Sequence, residues 1–133
     1  KILYALNKKG KTMKYLSDYT SAALTIAFEK HGAFYAFSKS QFNEKKVEGV
    51  MYVSDGSGMI TPKENYQALC KDMEEIHTSG IKQDIEENGI EKIIKRELGN
   101  YECYYTGEIE DAVEALEDYG ITHEQVSNVF RGI

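Results

Sequence analysis

Proline is almost missing from this chain: Pro62 is the single one among 133 residues. Linkers and disordered tails are usually rich in proline, so its scarcity argues for a folded body rather than a tether. Cysteine is scarce as well, with Cys70 and Cys103 the whole complement. A small secreted scaffold would carry more, so both are read as reduced thiols, Cys70 as a core residue. No apolar run approaches the roughly 18 residues of a membrane-spanning helix. The stretch 1–13 is basic but has neither an apolar segment nor a small-residue cleavage site, so no secretory signal is read there. These absences point to a cytoplasmic protein with no membrane contact.

What is present fits one domain, since domains commonly run about 100–150 residues. Met13 offers an internal start, so residues 1–12 are read as an N-terminal extension or strand and 13–133 as the domain. The net charge is −6, unevenly spread. Nine lysines face five acids in 1–62, and six basic residues face sixteen acidic ones in 63–118. Such an acidic second half suits a basic protein surface as partner and argues against direct nucleic-acid binding. A solvated face that aids solubility is the plainer reading of the same charge.

Spacing sketches the elements. Leu16–Lys30 reads as a buried helix capped by Ser17 and ended by Gly32. Ala33–Phe37 reads as an aromatic strand. Ser38 and Gln41 form a capping box, with Phe37 and Phe42 as its hydrophobic staple, opening a short helix to about Lys46. Val50–Val53 and Met59–Ile60 read as strands joined by the turn Ser54–Gly58. Thr61, Pro62 and Glu64 look like a helix start, followed by the stripe Tyr66, Leu69, Cys70, Met73, Ile76 and His77. Gly80 and Asn88-Gly89 interrupt that stripe, and Ile81 to Leu98 continue it. Tyr101–Tyr105 reads as a strand or extended connector. Ile109, Ala112, Val113, Leu116 and Tyr119 form another helical stripe. Thr122 and Gln125 cap the last helix, stapled by Ile121 and Val126. The expected fold is a helix-rich α+β domain with a small antiparallel sheet of about three short strands.

Chemistry is harder to find. His31, His77 and His123 have no partners at zinc spacing, so no metal is expected. Cys103 lies among tyrosines and acids, which raise a thiol's pKa and blunt it as a nucleophile. Asp55-Gly56-Ser57-Gly58 follows a strand but lacks the phosphate-loop and dinucleotide patterns. No cofactor and no catalytic residue is assigned, and the chain is read as not an enzyme. The carboxylates Glu108, Glu110, Asp111, Glu114, Glu117 and Asp118 lie on the outer faces of one helix, with Tyr104 and Tyr105 just before them. Exposed tyrosines are good interface anchors, so these eight residues are the candidate partner-binding set.

Glu97-Leu98-Gly99-Asn100-Tyr101-Glu102, with Tyr105-Thr106-Gly107-Glu108 and the acidic helix, resembles a segment of small uncharacterised proteins of phages and prophages of Gram-positive bacteria. Phe34–Phe42 and Pro62-Lys63 are also similar to it. In those proteins a histidine stands where this chain has Tyr101. The resemblance implies no known activity. It implies a mobile-element context and the cytoplasm of a bacterial host. The reading that follows is a protein-interaction module, an inhibitor of a host defence or nucleic-acid-handling protein. Its partner is a protein with a basic surface, or a second copy of the chain. The alternative is a nucleotide-signal binding or sequestering protein using Lys39, Lys45, Lys46 and the Gly56–Gly58 turn.

Overall fold

The computed structural model describes residues 13–133, so the strand or extension expected over 1–12 lies outside the described residues. The order is α1 (Leu16–His31), β1 (Phe34–Tyr35), α2 (Lys39–Lys45), β2 (Tyr52–Ser54) and β3 (Met59–Pro62). A 3-10 turn at Lys63–Asn65 leads into α3 (Tyr66–Asn88), α4 (Ile90–Asn100), α5 (Cys103–Thr106) and α6 (Glu110–Ala115). A second 3-10 turn, Glu117–Tyr119, precedes α7 (His123–Arg131). The fold is a helix-rich α+β domain with an antiparallel three-stranded sheet of order β1-β3-β2. Among the described residues the chain packs as two compact units, Thr20–Gly80 and 13–19 with Ile81–Ile133, so the divisions fall inside α1 and α3.

In the unit Thr20–Gly80, the core is Ala27, Met59 and Leu69, with Phe28, Tyr66, Met73 and Ile76 against it. Phe34 pairs with Ile60 and Tyr35 with Met59, so alternate residues of β1 face opposite ways. Phe34, Phe42 and Tyr52 cluster with ring centroids 5.5–6.3 Å apart. At the end of α1, His31 Nε2 meets Asp72 Oδ2 at 2.7 Å, and the His31 carbonyl accepts from Asn65 Nδ2. Gly58 sits at φ +100, and an added Cβ would stand 2.3 Å from Phe37 Cε1.

In the other unit, Ile93, Ile94, Leu98, Cys103, Leu116 and Val126 form a core shared by α4, α5, α6 and α7. Inside this unit lies a buried polar network. Arg96 donates to Asp84 Oδ1 (2.9 Å), Glu97 Oε2 (2.6 Å) and the Lys14 carbonyl (3.0 Å). Tyr119 Oη donates to Asp84 Oδ2, and Asn88 Nδ2 donates to both Asp84 Oδ1 and Tyr19 Oη. A buried charge must be paired and hydrogen-bonded to be tolerated, and here the network meets that need. Burial favours a neutral Arg96, yet the bonds to Asp84 and Glu97 outweigh it and hold the guanidinium charged.

Several expectations are corrected. The helix α1 is not buried throughout: Ala22 and Ile26 are exposed, and Thr20, Ala27 and His31 are the buried positions. Alanine-rich faces lose little by staying in water, so apolar content alone did not force burial. Ser17 lies inside the helix, and Asp18 instead accepts from the Tyr15 amide. Thr61 and Pro62 end β3 rather than start a helix, because Val53 pairs with Thr61 and Tyr52 with Pro62. Gly80 does not interrupt α3; the break comes at Gly89, whose φ of +80 glycine tolerates. Cys70 is half-buried and Cys103 is the core thiol. Tyr101–Tyr105 contains a helical turn, α5, instead of a strand. The Ser38 hydroxyl accepts from Gln41 N as expected, but Gln41 Oε1 reaches the Phe37 amide. Phe37 lies parallel to Tyr35, while Phe42 packs with Phe34 and Tyr52.

Candidate interaction face and family membership

The face predicted at 104–118 is built on three short turns. After α4, Glu102 adopts the left-handed conformation (φ 54, ψ 34), which L side chains rarely take. That kink starts α5, one turn long, and Gly107 at φ +78 closes it. The result drives Cys103 into the core and leaves its neighbours outside. Tyr104 is 59% exposed and Tyr105 87% exposed. Tyr104 stacks on Phe130 of α7 at 5.2 Å. Thr106 Oγ1 accepts from the Glu108 amide at 3.1 Å and turns the chain into α6.

On α6 the helical period does the sorting. Ile109, Ala112 and Leu116 point into the core, and Glu108, Glu110, Asp111, Glu114, Glu117 and Asp118 are all exposed. Glu110 and Asp111 occupy the first turn of α6, where negative charge suits the helix dipole. Among the described residues, Glu110, Asp111, Glu114 and Glu117 form no ion pair with a lysine or arginine. Their field is felt nearby. Burial first, then Glu97, Asp111 and Glu114, pushes the Tyr101 phenol above its usual value. Burial first, then Asp111, does the same to the Cys103 thiol. All eight residues of the candidate set therefore lie on one short exposed segment.

The other chemistry-bearing residues weighed in the sequence lie apart. His31 is buried against Asp72, His77 lies half-buried on α3, and His123 is exposed at the start of α7. Among the described residues no group of three metal-ligating side chains gathers. Cys103 is buried with a raised pKa, the opposite of an activated nucleophile. In the turn, Asp55 Oδ1 accepts from Ser57 N and Oγ, and Ser54 Oγ accepts from the Gly56 amide, so three donors a phosphate would need are in use. Lys45 Nζ donates to the Tyr35 carbonyl, and Lys46 pairs with Glu48 at 3.8 Å.

Sequence reasoning missed the network of Asp84, Arg96, Glu97 and Tyr119. A signal existed: Asp84 stands three residues after Ile81, on the apolar stripe of α3. Arg96 and Glu97 sit between Ile93–Ile94 and Leu98, in the same phase of α4. Charged residues at stripe positions are a mark of buried pairing. Glu97 and Asn100, both in the segment that carried the resemblance, are joined at 3.4 Å. No helix among the described residues is long and apolar enough to cross a membrane.

Comparison with curated proteins and with solved structures returns no match. Residues 16–131, most of the chain and parts of both compact units, match a family of unknown function, DUF7659, and the chain belongs to that family.

Proposed function

We propose that the chain is a protein-interaction module that docks through α5 and α6. The observation that carries this reading is the pairing of two outward tyrosines with an exposed acidic helix, whose carboxylates form no ion pair with a lysine or arginine among the described residues, on one short stretch. Tyrosines supply contact area with little rotamer loss, and carboxylates steer a basic partner into place. The partner is a protein with a basic groove, such as one that handles nucleic acid. There the carboxylates stand where phosphates would. A mobile-element origin and a role in inhibiting host defence rest on the sequence resemblance alone. The chain carries no assigned catalytic role in this reading.

The test is capture from bacterial lysate at low and raised salt. Wild type is compared with a chain in which Glu110, Asp111, Glu114 and Glu117 are all changed to Lys, and with Tyr105→Ala. The expected outcome is a partner that wild type retains at low salt, that raised salt weakens, and that both variants lose. Circular dichroism should report unchanged helix content in both. Retention of the same proteins by the charge-reversed chain overturns the reading.

A second reading, nucleotide binding by the basic half, draws on a different observation: the Tyr35 and Phe37 rings are exposed, parallel to within 4° and adjacent to Gly58. Flat parallel rings suit a base. A thermal shift with a nucleotide panel tests it, since ligand at 100 times its Kd adds about 2.7 kcal/mol. No shift with any nucleotide rules it out.

A further inference from the structure

We propose that Asn88-Gly89 is a spontaneous deamidation site that the fold holds in check, and that its reaction undoes the buried network around Asp84. The pair stands at the junction of α3 and α4. Asparagine followed by glycine is the dipeptide most open to this chemistry, because glycine has no Cβ to crowd its own amide nitrogen. In the reaction the Gly89 nitrogen attacks Asn88 Cγ and a new C–N bond closes a succinimide. Nδ2 departs as ammonia, taking up the proton the Gly89 nitrogen gives up. Water then opens the ring at either carbonyl, leaving aspartate or isoaspartate. The sum is amide plus water giving acid plus ammonia, with nothing oxidised or reduced.

The folded chain ties down both reacting groups. The Gly89 amide donates to the Ile85 carbonyl at 2.9 Å. The Asn88 Nδ2 donates to Asp84 Oδ1 at 2.8 Å and to Tyr19 Oη at 3.0 Å. For attack to occur, the last turn of α3 must open and the Asn88 side chain must leave both acceptors. Such local opening carries its own free-energy cost and slows the reaction by that factor.

The product also differs in consequence from an ordinary surface deamidation. Asp84 is completely buried, and its Oδ1 accepts from Asn88 and Arg96 alike. A carboxylate at position 88 turns one of those donors into an acceptor of like charge. Arg96 already serves Asp84, Glu97 and the Lys14 carbonyl. Isoaspartate further lengthens the backbone at the α3–α4 junction.

The experiment ages the full wild-type chain at mildly alkaline pH, folded in buffer and unfolded in urea. Peptide mass spectrometry follows the Asn88-Gly89 peptide. The expected result is reaction roughly tenfold or more slower in the folded chain. The second arm compares thermal midpoints of Asn88→Asp and Asn88→Ala. Asn88→Asp should lose roughly 4 °C or more beyond Asn88→Ala. Should either variant fail to fold, the aged wild-type chain, separated by ion exchange into amide and acid forms, supplies the stability comparison instead. Equal rates in the folded and unfolded chains overturn the proposal. An acid form as stable as its comparator, the amide form or Asn88→Ala, overturns it too.

Discussion

Thr61 has the least settled side chain in the core. It is fully buried in β3, and its hydroxyl has no hydrogen-bond partner among the described residues. An unmet buried hydroxyl costs about 1–3 kcal/mol, and valine keeps the shape without it. Thr61→Val should therefore stabilise the protein by about 1 kcal/mol, read as a higher urea midpoint with an unchanged slope. Glu102 offers a second gain. Its left-handed backbone costs a side-chain residue about 1–2 kcal/mol, part of which glycine recovers. Glu102→Gly should raise the same midpoint slightly, while Glu102→Val should lower it. Arg96 is the opposite case. Arg96→Met strips Asp84 and Glu97 of their cation while both stay buried, and should cost about 3–5 kcal/mol in urea unfolding.

At the scale of elements, α7 shows local sequence and fold in agreement. Thr122 Oγ1 accepts from the Gln125 amide at 3.1 Å and Gln125 Oε1 accepts from the Thr122 amide at 2.8 Å, so the full capping box forms. Thr122→Ala should cost about 1 kcal/mol, seen as an earlier thermal midpoint. That helix was legible because cap, staple and stop at Gly132 all lie within its own residues. The hairpin of β2 and β3 was legible for the same reason, through its turn at 55–58. Failures came where distant contacts decided. Thr61-Pro62 has the letters of a helix start, but pairing with Tyr52 and Val53 claims it for the sheet. Tyr101–Tyr105 has strand-like letters, but the buried Cys103 and two left-handed residues, Glu102 and Gly107, wind it into a turn. The outward placement of Glu110, Asp111 and Glu114 followed from helical period alone. The stripe positions of Asp84 and Arg96 mark both as buried, but which charge meets which is settled between two helices and by no local rule.

For the whole molecule, pH should act most on the alkaline side. Burial raises the phenols of Tyr19, Tyr101 and Tyr119 above their ordinary value, with the bond to Asp84 adding to the shift of Tyr119. The folded state then holds these protons more tightly than the unfolded chain does. Their stabilisation is complete below about pH 10, the unfolded value, and is lost as pH rises through the folded values. The urea midpoint should fall above about pH 10, and Tyr119→Phe should flatten that fall while lowering the plateau. On the acid side, the His31 bond holds the Asp72 carboxyl below its usual range. Its contribution is present above about pH 4 and disappears as pH drops through the lowered value.

The network around Arg96 also bears on how the chain is made. A ribosome releases residues in order, and domains fold as their last pieces emerge. Everything the unit Thr20–Gly80 needs has emerged once Gly80 is out. The Lys14 carbonyl must wait for Arg96, and Asp84 must wait for Tyr119. Lys14, near the start of the described residues, therefore gains this donor only from a residue 82 positions further along the chain.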